Sequence, residues 1–114
     1  MQCVEYASLR IKELSGFNSG ITGNANTWYG NTTYCKKLSS PATWSIACWS
    51  GGSQGYGHVA VIEEWDEDEG IMNYSDANYY SDGKIVSRKG ITETQMLKLF
   101  GSSFTFQGYV KLIK

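Results

Sequence analysis

Gly57-His58-Val59-Ala60-Val61-Ile62-Glu63-Glu64-Trp65 is the stretch that decides the fold. A glycine introduces it, and Val59 to Ile62 are apolar whichever way they point, so it reads as a central strand covered on both faces. The chain's only histidine stands at its leading end, where a loop meets the sheet. Asp66-Glu67-Asp68-Glu69-Gly70 then makes an acidic turn, and Ile71-Met72-Asn73-Tyr74-Ser75-Asp76 returns as the antiparallel partner. A turn centred near residue 67 brings Asp76 back beside His58. Asp66 and Asp68 have the spacing of a calcium loop's first and third ligands. However, Gly70 falls one position early and no glutamate closes the loop, so a solvated turn is the better reading.

Toward the N-terminus, Ser50 to Gly57 is a glycine-rich loop, expected to be mobile, that delivers the histidine. Before it, Trp44-Ser45-Ile46-Ala47-Cys48-Trp49 follows the break at Ser39-Ser40-Pro41 and reads as another central strand. Residues 16–30 have the composition of an ordered loop, with a short helical turn after Asn24 that presents Trp28 to the core or to a cleft. The chain opens with an amphipathic helix. Val4, Ala7, Ile11 and Leu14 make its apolar stripe, Glu5, Arg10, Lys12 and Glu13 can face water, and Ser15-Gly16 ends it.

Toward the C-terminus, Asp76 to Tyr80 leads through a turn at Ser81-Asp82-Gly83 into a strand over residues 84–88. Thr92 to Phe100 reads as a short helix with Thr92 and Gln95 in capping-box spacing, and residues 104–113 supply a last strand. One helix followed by an antiparallel sheet with a minor helix inserted is an α+β architecture.

A formal net charge of −1 with interspersed signs gives no electrostatic footprint for nucleic acid or an anionic membrane. No apolar run is long enough to span a bilayer, and no basic-then-apolar signal segment opens the chain. Eight tyrosines and four tryptophans suit an aromatic groove for sugars or peptides, although strand-rich cores use the same residues. Cys3, Cys35 and Cys48 match no zinc spacing, even with the lone histidine, so no metal or cofactor is expected. Cys35 and Cys48 could form one bridge or stay reduced, and the sequence leaves both open. At 114 residues the chain fits one domain, and the few residues ahead of Cys3 suggest one excised from a longer protein.

A thiol at a helix N-terminus meets backbone N–H groups that favour thiolate. To cleave an amide it also needs a base that takes its proton and returns it to the leaving amine, and a group that orients the base. Cys3, His58 and the polar pair Asp76 and Asn78 occur in that order.

The blocks Gln2-Cys3-Val4-Glu5-Tyr6-Ala7, Pro41 with Ile46-Ala47-Cys48-Trp49, Gly57-His58-Val59-Ala60-Val61-Ile62-Glu63, and Asp76-Ala77-Asn78-Tyr79 resemble the successive motifs of the CHAP family. These are the cysteine, histidine-dependent amidohydrolases and peptidases that cut bacterial peptidoglycan. The resemblance implies a papain-like fold in which the helix carrying the nucleophile packs on an antiparallel β-sheet. It makes Cys3 the nucleophile, His58 the general base and acid, and Asp76 the orienting group where the family usually has glutamate, with Asn78 as support or substitute. Cys3's own N–H and Gln2 become candidates for an oxyanion hole. Trp28, Trp49, Tyr56 and Tyr79, with Tyr29 and Tyr80, become candidates for the walls of a substrate groove.

Trp44 stands where the family often has glycine. The implied substrate is peptidoglycan, cut within the stem peptide, the cross-bridge or the muramoyl-alanine linkage through an acyl-enzyme. Such a domain acts on the wall from outside the cell, as a phage lysin, a virion component or a bacterial wall hydrolase, and would be joined in its parent protein to wall-binding or other domains. Some relatives carry a calcium loop upstream of the nucleophile. The alternative is a catalytically silent wall-binding module on the same fold.

Overall fold

The computed structural model describes residues 2–77 and 84–114. Helix α1 (Cys3–Ser15) opens the chain, followed by a 3-10 turn (Ala25–Thr27), β1 (Cys35–Leu38), β2 (Ser45–Gly51), β3 (His58–Asp66), β4 (Ile71–Ala77), β5 (Ile85–Thr92), α2 (Glu93–Leu97) and β6 (Phe104–Leu112). The strands form one antiparallel sheet in the order β1-β6-β2-β3-β4-β5, with α1 packed on it. This is the α+β, papain-like arrangement expected.

The apolar stripe of α1 works as read: Ala7 and Ile11 are buried, and Val4 and Leu14 pack against the same cluster. Gly16 ends the helix in a left-handed conformation (φ 79°), its N–H donating to the Lys12 carbonyl at 2.9 Å. Beneath the helix lie Ile46, Cys48, Val59, Val61 and Ala77. The opposite face carries Ala47, Ala60, Ile62, Tyr74 and Tyr109, covered by Met96 of α2 and by Phe100 and Phe104. β2 and β3 are therefore central strands buried on both sides, which their uninterrupted apolar runs required.

Arg10 does not face water alone. Its guanidinium grips Glu63 of β3 with two hydrogen bonds, Nε to Oε2 at 2.9 Å and Nη2 to Oε1 at 2.8 Å. Ser75 of β4 donates to Glu63 Oε2 at 2.5 Å, and the Tyr6 hydroxyl donates to Ser75 at 2.8 Å. Arg10 finds this partner under the helix because Glu63 alternates in phase with Val59 and Val61, the β3 residues that face α1.

α2 has the full capping box of Thr92 and Gln95 but ends at Leu97, short of the expected Phe100. β1 is an edge strand that pairs only with β6. The loop from Ser50 to Gly57 is pinned: Gly52 N–H donates to Ser103 O, Gly57 N–H to Gly51 O and Asn26 N–H to Tyr56 O, each at 2.9 Å. At Gly57 (φ 77°) a Cβ would lie 2.5 Å from the Trp49 carbonyl, so only glycine lets the chain turn into β3 at this place.

Candidate active site

Two elements bring the site together. His58 is the first residue of β3, and Cys3 is the first residue of α1, so the imidazole sits at the end of the sheet where the helix N-terminus arrives. Both line an open cleft of about 510 Å³, with Gln2, Asn24, Tyr56 and the backbone of Gly51 and Gly52 among its walls.

The imidazole is buried, and its Nε2 lies 2.7 Å from Asp76 Oδ2. The β3–β4 register pairs Val61 with Ser75, so its continuation sets Asp76 opposite Ala60, two residues along from His58. The contact is diagonal rather than directly opposite. Because strand side chains alternate with period two, this shift of two keeps both groups on one face. The Cys3 thiol shares the cleft with the ring and lies near enough to act on it. Burial disfavours the charged ring, but Asp76, which accepts from it, and then Cys3 favour the charged form and push His58 up to about 9. Phe100 stacks edge-on at 5.0 Å between ring centroids, and Trp49 and Phe104 lie farther out at 6.1 and 6.2 Å.

The three cysteines are free and differ in access. Cys3 is half-exposed in the cleft. Cys35 and Cys48 are buried in the core under α1, where desolvation pushes the Cys35 thiol up to about 11 and the Cys48 thiol higher still.

Gln2 precedes the helix in an extended conformation and lines the cleft beside Cys3. Tyr56 is exposed on the cleft wall, as a groove residue must be. Trp28 and Trp49 correct the expectation that they wall the groove. Trp28 is 1 % exposed in the core beneath α1, its indole N–H donating to the Gly23 carbonyl, and Trp49 is 2 % exposed in the aromatic cluster behind His58. A large apolar ring on a strand buried on both faces, or under a helix, contributes more by filling the core than by lining a wet cleft. Asn78, Tyr79 and Tyr80, named from the sequence, lie outside the described residues. Tyr29 packs over Gly108 of β6. At the hairpin tip, Asp66 Oδ1 accepts the N–H groups of Asp68 and Glu69, so the acidic run makes its own turn. Among the described residues no cluster of three or more metal-ligating side chains occurs.

Sequence reasoning passed over Tyr74, whose hydroxyl donates to the same Asp76 Oδ2 that holds His58. Its position two residues before Asp76 on a strand was the available signal, since i and i+2 share a face.

Residues 1–78 match the family model described as the CHAP domain. No curated protein matches the chain. None of the described helices is long and apolar enough to cross a membrane.

Proposed function

The chain belongs to the CHAP domain family, a family of amidohydrolase and peptidase domains associated with the cell wall, and from that premise we propose a cysteine-dependent peptidoglycan hydrolase. It cleaves an amide in the stem peptide, the cross-bridge or the muramoyl-alanine linkage. The observation that carries this reading is Cys3 and His58 lining one cleft, with Asp76 Oδ2 held behind the ring at 2.7 Å from Nε2.

The chemistry follows from that order. His58 holds the Cys3 proton, and the thiolate adds to the amide carbonyl to form a tetrahedral intermediate. First-turn N–H groups of α1, Cys3's own among them, have no helical carbonyl to bond and donate to the oxyanion, with Gln2 as a second donor. His58 then gives its proton to the leaving nitrogen, the C–N bond breaks, and an acyl-thioester remains on Cys3. Water, deprotonated by His58, adds to the thioester; the C–S bond breaks and the carboxylic acid leaves. Asp76 keeps the ring aligned through both halves. The open cleft, with Tyr56 on its wall, suits an extended glycan-peptide strand.

Purified Gram-positive sacculi test the proposal. The chain is expected to release new amines and Cys3→Ala to release none while keeping its circular dichroism spectrum; full release by Cys3→Ala would overturn it. Mass spectrometry of the products identifies the bond. A new amine on glycine or on cross-bridge alanine means an endopeptidase, whereas a lactyl carboxylate with a free L-alanine amine means an amidase.

A further inference from the structure

We propose that Tyr74 is a positioning residue of this site: its hydroxyl fixes the Asp76 carboxylate in the orientation from which that group can hold the His58 ring toward Cys3. The inference rests on the reading of Cys3 and His58 as nucleophile and base.

An aspartate carboxylate turns about two side-chain bonds, so a single contact to an imidazole leaves it free to swing. Here Oδ2 is held twice, by His58 Nε2 at 2.7 Å and by the Tyr74 hydroxyl. All three residues are at least 97 % buried. Water therefore does not replace a lost donor readily, and each hydrogen bond to the charged oxygen counts for more than at a surface. Tyr74 is itself immobilised: β4 pairs it with Ile62 of β3 on one side and with Arg88 of β5 on the other. Its ring packs in the far-face core with Met72 and Met96. A donor built into the middle of the sheet is a rigid reference for the carboxylate. Among the described residues, the titratable groups that reach the His58–Asp76 pair include Cys3 of α1 and Tyr74 of β4, while β2, the segment before β6 and the start of β6 bring the rings of Trp49, Phe100 and Phe104.

Tyr74→Phe keeps the ring and removes the donor. On purified sacculi it is expected to lower kcat about ten- to a hundredfold with KM little changed, because substrate does not touch Tyr74. The pH window should narrow, since a less firmly held Asp76 supports the imidazolium less. The alkaline limb of kcat moves down from about 9. In an Asp76→Ala background, Tyr74→Phe should add no further loss. An unchanged kcat and alkaline limb, or an equal loss in that background, would overturn the positioning role.

Cys3→Ala separates the two levels: if it still cleaves walls, the underlying reading fails, whereas an inert Cys3→Ala beside a fully active Tyr74→Phe sinks only the role of Tyr74. Should Tyr74→Phe not fold, the unsubstituted chain decides by NMR. A slowly exchanging Tyr74 hydroxyl proton with cross-relaxation to the His58 Nε2 proton is expected, and a freely exchanging hydroxyl refutes the proposal.

Discussion

Strand β4 sends alternate side chains to opposite faces of the sheet, and each face builds a buried polar chain around one cation. Under α1, Ser75 joins Tyr6 to the Glu63–Arg10 pair. On the far face, Tyr74 and Asp76 meet His58. The two chains use the same parts: a tyrosine hydroxyl, a carboxylate and a basic group. They differ in whether the cation can release its proton. Arg10, raised further by its Glu63 hydrogen bonds, never does in the working range of a protein. His58, pushed up to about 9, does so within reach of ordinary buffers and faces a thiol. A permanently charged cation makes a fastener, and a titratable one makes a proton carrier.

The largest effect expected from breaking this contrast is on the far face. His58→Ala should lower release of amines from walls by at least about a thousandfold, far more than its cost to stability accounts for. Activity that survives in the folded fraction would make His58 a structural residue like Arg10. On the helix face stability alone should suffer. Arg10→Met leaves the Glu63 carboxylate without its cation and should cost roughly 2–3 kcal/mol of stability, below the range for fully buried pairs because both partners keep some solvent contact. Adding Glu63→Leu should recover part of that loss, and urea titration of the single and double variants checks both. Equal instability of the two would mean that the pair is not the fastener.

The same contrast sets the pH dependence of stability, with opposite signs on the two faces. The folded His58 value lies above its ordinary 6.5, so its contribution is complete below about pH 6.5 and is lost as pH rises through about 9. The loss should be on the order of 2–3 kcal/mol. Arg10 holds Glu63 below its ordinary 4.5, so that contribution is complete above about pH 4.5 and is lost as pH falls through the lowered value. Urea midpoints across pH should therefore give a plateau with an acid shoulder removed by Arg10→Met and an alkaline shoulder removed by His58→Ala. A shoulder that survives its own variant would break the assignment.

The smallest expected effect lies outside both chains. Trp44 adopts a left-handed conformation (φ 65°) at the root of β2, is 42 % exposed, and donates its N–H to the Ile62 carbonyl. A bulky residue rarely adopts that conformation, so Trp44→Gly should raise stability by about 0.5–1 kcal/mol with wall cleavage unchanged. A lower melt would show that the indole packs better than its exposure suggests.

Much of this was legible in the residues themselves. The 3–4 spacing of α1, the Gly16 stop, the hairpin with its acidic turn and the Thr92–Gln95 cap are local signals, and local signals survive into the fold. The approach of Asp76 to His58 was legible because a hairpin carries one back toward the other by geometry alone. Other features were hidden for a common reason. Cys35-Lys36-Lys37-Leu38 is too short and too polar to announce a strand, and exists because β6 returns beside it from the far end of the chain. The placement of β6 between β1 and β2 is equally non-local. Arg10 looked solvated because its partner is 53 residues away on another element. Trp28 and Trp49 looked like groove walls because an aromatic residue reads alike in a core and in a cleft.

The hairpin places its acidic tip at the opposite end of β3 from His58. The strand is nine residues long from His58 to Asp66, a run of roughly 27 Å at ordinary strand rise. The tip is closed by its own side chain and backbone, with Gly70 N–H donating to the Asp66 carbonyl at 2.8 Å. A fluorophore, an affinity tag or a graft of foreign peptide inserted between Glu67 and Glu69 would thus ride well clear of the thiol, giving a handle for following the protein without crowding its cleft.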